Sequence, residues 1–312
     1  MKKWILGFLL FLVFVPVLLL IFRKDNVVSR QEAIDLCESS YSKYYNWEDI
    51  EVHYTDQGAG DTVIFMIHGF GGSHKNFSVI AEELREDYRI ICIDLPAFGL
   101  SEVPKIDLKN DELFAYYQRF IRSSIDFLDL KYYHLMGNSM GGWIAWDLAA
   151  ESDSNLLSLT LLNSAGFGME KVKGSATSWM TGPFGGFIFK KGVPFRMSKS
   201  NAERCFSDDS KINIDRVEKN YFMLNKEGTF SWMLQMASST VLPDTALIAQ
   251  INCPSLVLWG DDDQIVPVDH ADKFDALLPN SKKIIYEKCG HTPQMEYPKQ
   301  VAGDWINFVR EI

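Results

Sequence analysis

Six short apolar runs, separated by stretches of helical spacing, dominate the chain beyond residue 60. They are Thr62 to Ile67, Tyr88 to Ile93, Tyr133 to Met136, Leu156 to Leu162, Ser255 to Trp259 and Lys283 to Tyr286. Continuous apolar strands belong to sheets covered on both faces. Strand and helix in alternation imply a mainly parallel sheet with helices packed on each side. Ile50 to Thr55 alternates apolar and polar residues, as an edge strand does. Asp111 to Leu128, Gly142 to Ala150 and residues 299–310 carry the helical spacing. From Gly166 to Asp244 the alternation stops. That stretch holds Trp179, Phe184, Phe187, Phe189, Phe195, Phe206, Phe222, Phe230 and Trp232 and reads as a helical cap inserted into the sheet domain.

The expected organisation is a segment of its own over residues 1–24, a linker with a short helix over 25–48, an α/β core over 49–165 and 245–312, and a cap over 166–244. Trp4 to Phe22 is 19 residues without a charge, flanked by Lys2 and Lys3 before and Arg23 and Lys24 after. At 1.5 Å per residue it spans roughly 28 Å, close to the hydrocarbon core of a bilayer. A cleaved signal peptide has a shorter apolar core ending in small residues, whereas this run ends in Leu20-Ile21-Phe22. The reading is therefore a single-pass N-terminal anchor in a lipid membrane. The flanking cations nearly tie, so they do not fix its sidedness.

The formal net charge is −10 and no Lys/Arg-rich run occurs, which argues against a nucleic-acid partner. Five widely spaced cysteines form no zinc pattern and no dense disulfide framework. No helical His-Glu-x-x-His pattern is present either, so neither a metal nor an organic cofactor is expected.

Four short segments carry chemistry, and each follows an apolar run. Gly137-Asn138-Ser139-Met140-Gly141 matches the G-x-S-x-G turn, in which a serine sits on a sharp strand-to-helix bend and flanking glycines remove side-chain clashes. Its hydroxyl projects from the sheet, and the Met140 N–H at the helix start faces a developing oxyanion. His68-Gly69-Phe70-Gly71-Gly72 supplies a second donor, the Phe70 N–H. His68 itself reads as structural. Gly260-Asp261-Asp262-Asp263 offers a carboxylate where the chain order Ser…Asp…His places the acid, with three aspartates competing. Cys289-Gly290-His291 follows the last run and supplies a base. His270 lies in a helical stretch and reads as a surface residue. Four such elements in the right order are far more specific than any one of them.

These segments resemble the α/β-hydrolase superfamily over residues 50–312. Within it the chain is similar to bacterial lipases and esterases and to membrane-anchored monoacylglycerol lipases. The resemblance rests on the anchor, His68-Gly69-Phe70, Gly137 to Gly142, Leu162 to Phe167, Trp259-Gly260 followed by Asp263, and Cys289-Gly290-His291 followed by Met295-Glu296-Tyr297-Pro298. It implies the α/β-hydrolase fold, a doubly wound, mainly parallel sheet with an inserted helical cap. It also implies a triad of Ser139, His291 and Asp263, because family spacing from Trp259-Gly260 and the Ile265-Val266-Pro267 segment selects Asp263. Some relatives carry the acid after the preceding strand, where this chain has Asn163-Ser164. Ala97 stands where the family usually has glycine, a departure expected to affect pocket shape.

The activity so implied is serine carboxylic ester hydrolysis of an apolar acyl or aryl ester through an acyl-enzyme. Two alternatives stand beside it. One is a carbon–carbon hydrolase of ring-fission products, which the same nucleophile motif resembles. Those enzymes usually carry Gly-Pro-Gly after the first histidine motif, and here the chain reads Gly71-Gly72-Ser73. The other is a non-enzymatic sensory or binding protein on the same fold.

Overall fold

A computed structural model describes residues 25–106, 112–151, 153–168, 191–238 and 241–312. Residues 1–24, read as the anchor, and cap residues 169–190 lie outside the described residues.

One eight-stranded sheet organises the chain. Its strands are β1 (Ser42–Trp47), β2 (Ile50–Gln57), β3 (Val63–Ile67), β4 (Arg89–Ile93), β5 (Tyr133–Asn138), β6 (Leu156–Leu162), β7 (Ser255–Gly260) and β8 (Ser281–Tyr286). They lie in the order β1-β2-β4-β3-β5-β6-β7-β8. β2 pairs antiparallel with β1 and β4, and the pairs from β4 through β8 are parallel. β1 is a correction to the expected linker. Its Ser-Lys-Tyr-Tyr-Asn-Trp sequence keeps Tyr45 and Trp47 buried and Lys43 and Asn46 exposed. It also displaces β2 from the edge position that its alternation suggested.

The period of two along each strand divides the core into two layers. Val63, Phe65 and Ile67 of β3 face one side, with helices α3 (Glu112–Phe127) and α4 (Met140–Ala149). Ile64 and Met66 face the other, against α2 (Ser78–Leu84) and the closing helix α10 (Pro298–Glu311). A short α1 (Arg30–Cys37) precedes β1, with a capping box in which Ser29 and Glu32 bond each other's backbone. The described part of the cap holds α5 (Phe195–Cys205), α6 (Ile214–Leu224) and α7 (Thr229–Ala237) and no strand. α8 (Asp269–Leu277) and the one-turn α9 (Pro293–Glu296) complete the described α-helices.

The cap is tied to the loop after β4. The Lys226 ammonium donates to the carbonyls of Gly99, at 3.0 Å, and Ser101. Thr229 Oγ1 donates to Ala97 O at 2.9 Å, and Trp232 Nε1 donates to Tyr117 OH at 2.8 Å. Ala97 adopts φ +72°, the left-handed region that explains the family's glycine there. Its role differs from the one expected: it is buried under the cap and does not line the substrate-sized cavity described below.

Asp94 directly follows β4 and is fully buried. It accepts from His74 N–H (2.6 Å), Leu100 N–H (2.9 Å), His53 Nδ1 (2.7 Å) and His74 Nδ1 (2.9 Å). Burial alone would raise its pKa; the two imidazoles more than reverse this and hold it well below the usual carboxylate range.

Burial pushes the imidazoles of His74 and His134 down to about 4. The unfolded chain binds protons at these groups near 6.5 while the fold refuses them until about 4. Their stabilisation is therefore complete above pH ~6.5 and is lost as pH falls toward 4, by at most about 3 kcal/mol per group. The urea midpoint is expected to drop between pH 7 and 4.5. His134→Gln, which keeps a partner for Ser158 Oγ at the 2.7 Å contact, is expected to shrink that drop. An equal drop in the variant would contradict the assignment to His134.

Candidate functional site

The turn from β5 into α4 places Ser139 in a conformation that few residues tolerate, φ +56° and ψ −121°. A non-glycine residue held there costs about 1–3 kcal/mol, and the surroundings fix it. Ser139 N–H donates to Leu162 O (3.1 Å), while its carbonyl accepts from Trp143 N–H (3.2 Å) and Ala165 N–H (2.9 Å). Two glycines make the bend possible. A Cβ on Gly137 would lie 2.3 Å from Gly141 O, and one on Gly141 would lie 2.1 Å from Ile67 O, both far inside contact distance.

Beside the serine lies the loop after β3. His68 is buried; its Nε2 accepts from Leu95 N–H at 3.1 Å, so its proton sits on Nδ1 and goes to Gly69 O at 2.7 Å. This ring shapes the loop and is not free to act as a base. Among the described residues no carbonyl engages the N–H of Phe70 or of Met140, the first residue of α4. Met140 adjoins Ser139 in sequence, and Gly69, next to Phe70, packs so close to it that a Cβ there would lie 2.9 Å from Ser139 Cβ.

The structure brings His291 and Asp263 together from two loops. His291 Nδ1 donates to Asp263 Oδ2 at 2.8 Å. An ionised carboxylate only accepts, so Nδ1 carries a proton, and in the neutral ring Nε2 is the nitrogen with the lone pair. Asp263 Oδ1 accepts from the N–H groups of Ile265 (2.7 Å) and Val266 (3.0 Å). Burial pushes this carboxyl's pKa up. The positive charge that His291 carries when protonated, with hydrogen bonds from His291, Asn163 and Ile265, outweighs that and leaves it below the ordinary value. Asp261 and Asp262 are exposed; the first accepts from Cys289 N–H at 3.4 Å and the second from Ser207 Oγ at 2.8 Å.

Asn163 is a site residue that sequence reasoning missed. It follows β6 in the left-handed region (φ +43°), and its Nδ2 donates to Asp263 Oδ2 at 2.7 Å. The second carboxylate oxygen thus serves His291 and Asn163 together. A signal was present: asparagine tolerates positive φ, and Asn163 stands where some relatives carry the acid. His270 also differs from its expected surface place. It is buried in α8 with its ring edge-on to Phe167, 5.3 Å between centroids.

Ser139, His291, Phe70 and Met140 all line one cavity of about 590 Å³ between sheet and cap. Much of its wall is apolar, including Phe114, Trp143, Met233 and Met236. The metal-ligand residue types that meet among the described residues are His53, His74 and Asp94, with ligand atoms within 4.8 Å of one another. Both ring Nδ1 atoms donate to the carboxylate, and none of the three lines the cavity, so the cluster serves as an internal tie.

The chain is similar to known proteins. Lipase 1 of Psychrobacter immobilis is 28% identical over 287 residues, covering 84% of this chain and 85% of the lipase. A 2-hydroxy-6-oxononadienedioate/2-hydroxy-6-oxononatrienedioate hydrolase of Cupriavidus pinatubonensis is 25% identical over 290 residues, 88% of this chain and 97% of that one. The dihydrolipoyllysine-residue acetyltransferase component of an acetoin cleaving system from Pseudomonas putida is 29% identical over 260 residues; the match spans 81% of this chain and 65% of that protein's length. A crystal structure of a membrane phospholipase A, described as a bacterial virulence factor, superposes with a TM-score of 0.74 at 24% identity over 100% of both chains, a likeness of fold. The family model for the alpha/beta hydrolase fold matches residues 62–298, from the residue before β3 to the first residue of α10 and with every candidate site residue inside it, and the chain therefore belongs to the α/β-hydrolase family.

Proposed function

We propose that this protein is a serine carboxylic ester hydrolase acting on an ester with an apolar acyl or aryl group. The observation that carries the reading is the 2.8 Å bond that Asp263 makes to His291, which lines the same cavity as Ser139. In this mechanism His291 Nε2 takes the Ser139 proton as Oγ attacks the ester carbonyl. The N–H groups of Phe70 and Met140 hold the negative charge that forms on the carbonyl oxygen. His291, now imidazolium and stabilised by Asp263, passes its proton to the leaving alcohol. A water activated by the same imidazole then cleaves the acyl-serine, returning the proton through His291 to Oγ.

Relatives named as carbon–carbon hydrolases support a second reading with the same nucleophile. The absence of proline from the His68 to Gly72 loop favours the ester. A panel of esters and a vinylogous diketone separates the two. Ester turnover exceeding diketone turnover is the expected result, and diketone cleavage without ester cleavage would select the alternative.

The membrane anchor is part of the proposal. No helix among the described residues is long and apolar enough to cross a membrane, and the 4–22 run lies outside them. The described chain begins against the cap: Asn26 N–H donates to Lys191 O, and Val28 N–H donates to Asn225 O, each at 3.0 Å. Val27, Phe195, Met197, Ile214 and Leu242 are exposed on the N-terminal segment and the cap region. An anchor leading into Asn26 would hold the cap, and the cavity beneath it, toward the lipid. Full-length protein is expected to sediment with membranes through a high-salt wash. A chain starting at Asn26 is expected to remain soluble and still hydrolyse a water-soluble ester. Release of the full-length protein by salt would refute the anchor.

A further inference from the structure

The cavity wall is chemically two-sided. Beside its aromatic and methionine residues the lining includes Lys75, Arg204 and Arg216, and no aspartate or glutamate is among the described lining residues. The whole chain has 41 acidic against 31 basic residues, so three cations and no acid run against composition. Lys75 and Arg216 are half-buried, and among the described residues neither forms an ion pair. The nearby Lys219 is paired instead with Asp215, at 2.8 Å. Burial, with Lys219 adding to it, draws the Lys75 pKa down, and burial does the same at Arg216. Half-buried cations without a partner cost free energy, and an anion delivered by a ligand offsets that cost.

Their placement relates them to the reaction. Asn213, Arg216, Val217, Asn220 and Leu224 recur at three- and four-residue intervals and turn one face of α6 to the cavity. Asn220 Nδ2 donates to Gly71 O at 3.4 Å, beside the oxyanion donor Phe70. Arg216 lies one turn along the helix, about 6 Å away. Lys75 also lines the cavity, from the short 3-10 turn His74–Phe77 four residues beyond Gly71.

We propose that Lys75 and Arg216 bind an anionic group, phosphate or carboxylate, a few bonds from the ester carbonyl, while the aromatic and methionine face takes the acyl chain. This deepens the ester-hydrolase reading and rests on it. The substrate class is then an amphiphilic ester with an apolar acyl chain and an anionic alcohol portion.

The test uses full-length protein in a neutral detergent and three esters of one fatty acid: monomyristoylglycerol, 1-myristoyl-glycerol-3-phosphate and myristoyl 3-hydroxypropanoate. Charge-assisted bonds of this kind support a preference of about tenfold or more in kcat/KM for at least one anionic ester over the neutral one. Which anionic ester is preferred tells phosphate from carboxylate. In the double variant Lys75→Gln, Arg216→Gln the ratio is expected to fall toward one, mainly through KM. Lys75→Arg is expected to keep most of it, and Lys299→Gln, an exposed cation outside the cavity, to leave the ratio in place. Fluorophosphonate labelling checks that each variant is folded. If the double variant does not fold, the wild-type ratio and its fall with added salt decide. A wild-type ratio near one, or a ratio that survives in the folded double variant, overturns the anion subsite alone. No turnover of any ester overturns the ester-hydrolase reading beneath it as well.

Discussion

Ser139→Ala is expected to lower kcat for ester hydrolysis by about 10⁶ and to abolish covalent labelling by a fluorophosphonate, because loss of the nucleophile in a triad removes nearly all the catalysis the group supplies. The structure indicates why the fold should survive the change. Ser139 is held through its backbone, by bonds with Leu162, Trp143 and Ala165, and its side chain caps nothing at the start of α4. Alanine meets the same strain at φ +56° as serine does. An unchanged circular-dichroism spectrum together with lost activity is the expected pair of results. Most of the activity remaining in the folded variant would place the nucleophile elsewhere.

Asp263→Asn is expected to cost about 10⁴ in kcat, the order seen when a triad acid becomes an amide. The local bonds determine how the amide must lie. Ile265 and Val266 both donate to Oδ1, so the carbonyl end of the amide has to occupy that position. Its NH2 then faces His291 Nδ1 and Asn163 Nδ2, both of which donate to Oδ2 in the native protein. To accept from that NH2 the imidazole has to move its proton to Nε2, the nitrogen that should receive the Ser139 proton. Asn163 meanwhile loses its acceptor. Asp261→Asn and Asp262→Asn, at exposed positions, are expected to change kcat by less than about threefold. Equal effects at all three positions would show that the base is oriented by another group.

The parts of this fold that sequence displays are those fixed by a local rule. β3, β4, β6 and β7 show as apolar runs because both faces of the sheet are covered. The turn at Ser139 is visible because its geometry admits few residues on either side. β1 was not legible. Two of its polar residues face solvent, its aromatics suit a loop as well as a strand, and it is a strand by virtue of pairing with β2. Asn163 was read as the lack of a carboxylate, since its bond to Asp263 spans 100 residues and exists only once β6 and β7 are adjacent. His270 was misplaced for a similar reason: helical spacing does not tell which face of α8 meets Phe167. The charge asymmetry of the cavity depends on Lys75 of the core and Arg216 of the cap lining one cavity, which no local pattern announces.

The central claim is that an ester is cleaved through an acyl group carried on Ser139. Rapid mixing of the protein with a p-nitrophenyl ester, followed by acid quench and peptide mass spectrometry, tests it most directly. The expected result is a burst of p-nitrophenol approaching one equivalent per active site, with the acyl mass found on the peptide containing Gly137-Asn138-Ser139-Met140-Gly141. Turnover with no burst and no acylated peptide, or with the acyl group on another residue, would contradict it.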